Sequence, residues 1–337
     1  MACFCAGTMI VTLNGEVPVE SVVVGDLVLT LSGEGAPLKP VIWTGRVGVD
    51  LASHPDPMAV RPIRIAAGAI EPGMPIRDLL VSPDHGISVE DGRGRRVLVP
   101  AHFLVNGATI TREPAAGVVT YHHIETETHE ILMADGMAVE SFFHLDARRA
   151  FGTTVVSFSR NAVTLEQPDF SPNARETNGV APLLVGLATH EIHARLLAVA
   201  RASGHVLTED ADLAVLCGDD SAEKIADDAG EAVFLLPPGA GPACLSSRLF
   251  TPAEADPAGG DQRRLGVALA RAVLDGVEIP LDGPEFGAGF LPHEGEVGNF
   301  WRWTTGEATL HLPARDAEAT LEITLHCGWS RYWLAPP

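Results

Sequence analysis

Cys3-Phe4-Cys5-Ala6-Gly7-Thr8-Met9-Ile10-Val11-Thr12 opens the chain and joins a thiol, through a glycine turn, to a strand-like apolar run. The Cys3 thiol lies next to the Ala2-Cys3 carbonyl, which makes it a candidate nucleophile on its own backbone. Attack there closes a five-membered ring and exchanges an amide for a thioester. The step is uphill, and it calls for a distorted peptide and a proton for the departing nitrogen. Only Met1-Ala2 precedes Cys3 in the sequence, so the acyl group on offer is a dipeptide, small for a chain of 337 residues.

Working outward, residues 3–145 read as short strands divided by turn residues. Apolar runs recur at Val22-Val23-Val24, Leu27-Val28-Leu29, Val41-Ile42-Trp43, Ile63-Arg64-Ile65, Leu79-Leu80-Val81, Val97-Leu98-Val99 and Ile131-Leu132-Met133. Helical periodicity is almost absent, and a compact all-β domain over residues 1–150 is expected. Gln167-Pro168-Asp169-Phe170-Ser171-Pro172-Asn173 resembles a linker, assigned to 151–175, with a second α+β or β-sandwich domain over 176–337. Pro182 to His205 carries an apolar stripe (Leu183, Leu184, Leu187, Ile192, Leu196, Leu197, Val199) and predicts a helix of that second domain. Beyond it strands are predicted at 213–217, 233–236, 273–274, 277–279 and 321–325, with Asp275-Gly276 as a hairpin turn. The expected fold is therefore mainly β, with no internal repeat.

Composition narrows the function classes. A chain of 337 residues with 46% hydrophobic content supports two separate cores. The formal net charge of −21 repels phosphate backbones and anionic headgroups, which argues against nucleic-acid binding and electrostatic membrane attachment. No apolar run is long enough to span a bilayer, and no basic segment leads into an apolar stretch at the start. Five cysteines, an odd number and mostly far apart, fit free thiols and a reducing compartment, the cytoplasm by default, with non-classical export left open.

The proton that thioester formation requires has a source in Val81-Ser82-Pro83-Asp84-His85, where Pro83 favours a turn that brings a hydroxyl and an imidazole toward one point. Tyr121-His122-His123 alternates faces in a strand, so one histidine faces a site and the other faces solvent. Together with these, Val19-Glu20-Ser21-Val22 and Val24-Gly25-Asp26-Leu27-Val28-Leu29, then His129-Glu130-Ile131-Leu132-Met133-Ala134-Asp135-Gly136 and Val139-Glu140-Ser141, form an ordered series. That series resembles the motifs of the Hint (hedgehog/intein) superfamily over residues 3–145, and its ending looks like that of bacterial intein-like Hint proteins.

The resemblance implies a compact all-β horseshoe and a set of roles. Cys3 matches the thioester-forming nucleophile, and His85 the histidine that protonates or strains the scissile amide. Ser82 stands where the family usually has Thr and keeps the hydroxyl. His123, or alternatively His122, falls near the residue that assists later steps. Splicing members end in His-Asn, whose Asn cyclises; here Glu140-Ser141 ends the series, and a serine has no amide to cyclise. The implied activity is cysteine-dependent autoprocessing: an N-to-S acyl shift at Cys3, then hydrolysis or transfer to an external nucleophile rather than splicing. The acyl donor is the chain's own N-terminal segment, and no cofactor or metal is expected.

Structural readings stand beside these. Cys3 and Cys5 also fit small buried apolar residues, and Cys5 is read as structural. His85 also fits a brace for its turn. Thr189-His190-Glu191-Ile192-His193 lacks the i, i+4 histidine spacing of a zinc protease and reads as an exposed helix face. Trp301 and Trp303 share one face of a strand, as sandwich core or as a platform for a glycan or protein ligand. The rival functional reading is a catalytically silent Hint scaffold carrying such a binding module.

Overall fold

A computed structural model describes residues 2–31, 37–114, 117–142, 155–156, 181, 183, 185, 189–228, 230–239, 241–255, 261–296, 298–326 and 330–336. The chain is mainly β and divides into two compact units, Met1–Ser203 and Gly204–Pro337.

The first unit is built on one sheet that curls on itself around strand Leu38–Asp50. The early residues of that strand pair with Leu27–Leu29 and its later residues with Val118–Thr126, so a single long strand serves both halves of the sheet. The register against Val118–Thr126 shifts between Glu125 and Thr126, a bulge of the kind that bends a strand. Strands Ile63–Ile65 and Leu79–Val81 bury alternate residues, as the period of two requires. Their inward faces join Phe4, Ile10, Ile87, Val99 and Val139 in one apolar core. Asp135-Gly136 closes the hairpin of Ile131–Ala134 with Met137–Glu140, both turn residues having φ > 0 (49° and 78°).

Two expectations for this unit change. Val22-Val23-Val24 is not a strand: a 3-10 turn spans Val19–Ser21, and Val23 and Val24 are exposed beside a turn in which the Val23 N–H donates to the Asp26 carboxylate. The helix is shorter than predicted, His190–Ala202, and Leu183 instead bridges to Leu98 in extended backbone. The helix also belongs to the first unit, because Ile192 and Leu196 are part of its core and the His193 ring donates to the Val105 carbonyl at 3.1 Å. His193 is therefore buried, and the exposed-face reading fails for it. The expected linker, 151–175, lies outside the described residues apart from Val155 and Val156.

In the second unit a four-stranded sheet contains Ala214–Cys217, Ala243–Ser246 and Glu307–Leu310, and a seven-stranded sheet contains Glu231–Leu236, Ala268–Leu274, Asn299–Thr304 and Ala319–Leu325. Val215, Leu245 and Leu310 from the first sheet share a core with Phe234, Leu269 and Ile323 from the second, the arrangement of a sandwich. The predicted Asp275-Gly276 turn has φ of 47° and 77° and joins Ala268–Leu274 to Val277–Ile279. Trp303 is buried against Phe250, while Trp301 packs on the core's edge beside His326. Trp303 is spent on the core, so the pair offers no two-ring platform to a ligand.

Candidate active site

The convergence of the sequence motifs follows from strand register. Phe4 pairs with His122 on one side and with Val81 on the other. One antiparallel step back from Phe4 is one step forward in each neighbour, which brings Cys3 against His123 and Ser82. The Ser82 N–H donates to the Cys3 carbonyl at 2.9 Å and carries the ladder through that step. Three residues separated by 79 and 120 positions along the chain are thus placed by two adjacent strand pairings.

The Cys3 N–H donates to the Ser82 hydroxyl at 3.0 Å, and Cys3 Sγ lies 3.1 Å from His123 Nε2. The Ser82 hydroxyl also bonds the thiol, and the His123 ring bonds the Ala2 carbonyl. Every atom group of the Ala2-Cys3 junction therefore has a named polar neighbour: sulfur, amide nitrogen and carbonyl oxygen. His85 occupies the position next door. Its Nδ1 donates to the Cys3 carbonyl at 2.9 Å and its Nε2 faces the Glu140 carbonyl at 3.1 Å. The Ser82 hydroxyl stands at the Cys3 nitrogen, where the resemblance led us to expect His85, and His85 bonds the carbonyl on the far side of Cys3.

The turn carrying these groups is braced from within and from outside. The His85 N–H donates to the Ser82 carbonyl at 3.1 Å, and His102 donates to the Pro83 carbonyl from both its backbone N–H and its ring Nδ1, each at 2.9 Å. The Phe4 ring packs at a 60° tilt against His85, 4.6 Å between centroids, and Phe142 packs edge-on against His123 at 4.7 Å. His122, expected in solvent, is instead buried at the position paired with Phe4.

Burial dominates the electrostatics. Cys3, 3% exposed, has its thiol pushed up to about 12 by desolvation, with the Ser82 hydrogen bond acting the other way. Desolvation pushes His123 down to about 3. The resting pair is a neutral thiol beside a neutral imidazole. Burial also lowers His85, opposed by the Glu140 carboxylate and by the two carbonyls that its ring meets.

Ser141 is tied elsewhere: its hydroxyl accepts from the Glu130 N–H at 3.0 Å, and its own N–H donates to the Glu130 carbonyl at 2.8 Å. Cys5 is buried against Tyr121, as a structural residue would be. The described cysteines Cys3, Cys5, Cys217 and Cys244 are free thiols, and Cys327 lies outside the described residues. No His, Cys, Asp or Glu group able to hold a metal ion occurs among the described residues. Sequence reasoning gave no role to the Glu140 side chain, which is 5% exposed and lies 3.3 Å from His129 Nε2.

The sequence model of the Hint domain family matches residues 2–146. Among solved structures, the chain is similar to a bacterial intein-like domain from Clostridium thermocellum, with 19% identity, 42% of this chain and 99% of that chain covered, and a TM-score of 0.30. It is also similar to the gp41-1 intein, at 14% identity, 41% and 98% coverage and a TM-score of 0.27. For the MchDnaB-1 intein the values are 17%, 42% and 99%, and 0.26. A search of curated proteins finds no match.

Proposed function

We propose, from the premise that residues 2–146 are a Hint domain, that the first unit processes its own backbone by an N-to-S acyl shift at Cys3. The observation that carries the reading is the placement of Ser82 Oγ at 3.0 Å from the Cys3 nitrogen, with His123 Nε2 at 3.1 Å from the sulfur.

In the proposed step Cys3 Sγ bonds to the Ala2 carbonyl carbon, and the carbonyl π electrons move to oxygen. The His123 ring, neutral at ordinary pH, donates its N–H to that oxygen; a neutral imidazole acting as electrophile needs no protonation beforehand. As the nitrogen pyramidalises, its lone pair turns to the Ser82 hydroxyl. The thiol proton passes through that hydroxyl to nitrogen, one O–H bond forming as the other breaks. Collapse of the adduct breaks the C–N bond and leaves a thioester on Cys3 with a free α-amino group. Nothing is gained or lost in this rearrangement, and the relay avoids a buried thiolate-imidazolium pair. Water or an added nucleophile then releases the acyl group. Ser141 has no side-chain amide, so the unit stops at cleavage or transfer.

The burial of Cys3 favours a second reading, a catalytically silent scaffold. One experiment separates the two. A reporter protein is fused upstream of Ala2, hydroxylamine is added, and cleavage at the Ala2-Cys3 bond is followed by intact-mass spectrometry. Autoprocessing predicts cleavage that disappears in Cys3→Ala. An uncleaved wild-type fusion selects the silent scaffold.

A further inference from the structure

The buried pair of Glu140 and His129 is not used by the acyl shift, yet it adjoins the histidine that grips Cys3. Both ring nitrogens of His85 face backbone carbonyl oxygens, Cys3 at 2.9 Å and Glu140 at 3.1 Å. A carbonyl oxygen only accepts. A neutral imidazole carries one N–H and would set its bare nitrogen lone pair against one of those oxygens; the imidazolium alone fills both bonds.

A buried cation needs a nearby anion. Glu140 meets the ring through its backbone carbonyl, and its carboxylate, near enough to favour the cation, has its Oε1 accepting from the N–H of Gly86, the residue after His85, at 2.7 Å. Gly86 makes room for that carboxylate. A β-carbon there would stand 2.8 Å from Glu140 Oε1 and from its carboxyl carbon, closer than real contacts allow. The other ionisable groups around the ring are the Cys3 thiol, Asp84 on the turn itself and His123 from strand Val118–Thr126; His129 reaches it only through Glu140.

We propose that Glu140 is the positioning residue of this site: its carbonyl and carboxylate favour the imidazolium of His85, which bridges two strands and pins the Cys3 carbonyl while the preceding peptide is attacked. The proposal rests on the acyl-shift reading for its consequence, but not for its measurement. Removing the carboxylate takes away a charge that favours the protonated ring, so the folded-state titration of His85 moves down. The cation would then persist only at lower pH.

The experiment is a side-chain nitrogen NMR titration of His85 in the full-length wild-type chain, Glu140→Gln and Gly86→Ala. Wild type is expected to show both ring nitrogens protonated only at a pH below the free-histidine value, because burial lowers the ring. The titration should fall by about one pH unit in both variants, at the low end for loss of a close opposite charge. Hydroxylamine cleavage of the upstream fusion at that pH should slow about tenfold in Glu140→Gln, the fold-change equivalent to one pH unit. A wild-type His85 that never carries both ring protons while folded, or an unmoved titration in Glu140→Gln, overturns the proposal. If the wild-type fusion does not cleave at all, the acyl-shift reading fails, and the titration still decides the role of Glu140.

Discussion

The two units bury different things. Around Cys3 the first unit buries Ser82, His85, His123, His129 and Glu140, each aimed at another polar group. Among the described residues of the second unit, the buried Thr304 and Tyr332 turn their hydroxyls to backbone groups, accepting the Val267 N–H and donating to the Gly266 carbonyl, each at 3.0 Å. Polar burial costs stability unless every group is satisfied. The first unit accepts that cost at one place in its fold, whereas the second puts its interior into apolar contact. Deleting a polar atom in the first unit should therefore change chemistry, and deleting an apolar side chain in the second should change stability.

The sharpest break of this contrast is Cys3→Ala, which should abolish cleavage of an upstream fusion with little change in the denaturation midpoint. Its mirror is Trp303→Ala. That variant should cost about 3–5 kcal/mol in urea unfolding of the second unit, with the cleavage rate of the first unit preserved. Parallel loss of cleavage would show that the units do not behave independently.

Thiol reactivity gives the next largest difference. With its thiol held up to about 12, Cys3 carries roughly a thousandth of the thiolate of a free cysteine at pH 8. Iodoacetamide followed by peptide mapping should therefore label the partly exposed Cys217 and Cys244 well before Cys3. Because thiolate rises with pH, labelling of Cys3 should climb about tenfold per pH unit between 8 and 10. Early labelling of Cys3 would contradict a protonated resting thiol. The smallest effect separates hydroxyl from methyl: Ser82→Ala should slow cleavage about 100-fold, while Ser82→Thr, which keeps the relay oxygen, should stay near the wild-type rate.

What could be read from the sequence was the part written in consecutive residues. Cys3, Ser82, His85 and His123 were all legible, because a Ser-Pro-Asp-His turn and a Tyr-His-His strand announce themselves locally. The division of labour among them was not. That Ser82 meets the Cys3 nitrogen and His85 the Cys3 carbonyl depends on which side of the Cys3 peptide the turn approaches, a matter of strand register. Glu140 escaped notice because a glutamate in a strand reads as solvated. Its burial is set by the missing β-carbon of Gly86 and by His129, neither of which is adjacent in sequence. Val22-Val23-Val24 misled in the opposite direction, since Gly25, at φ 98°, and Asp26 turn the chain before a strand forms. The helix stripe predicted the burial of Ile192 and Leu196, but the helix was expected in the second domain and packs in the first unit instead.

That helix has a practical consequence for anyone cutting the chain into pieces. The family match stops at residue 146, yet the lid over part of the first unit's interior is supplied by Ile192 and Leu196, with Arg195 donating to the Glu90 carbonyl at 2.7 Å. A fragment ended at 146 would carry a bare oily patch where the helix should sit. Such a piece is expected to precipitate or self-associate, whereas one extended through Ser203 should stay monodisperse.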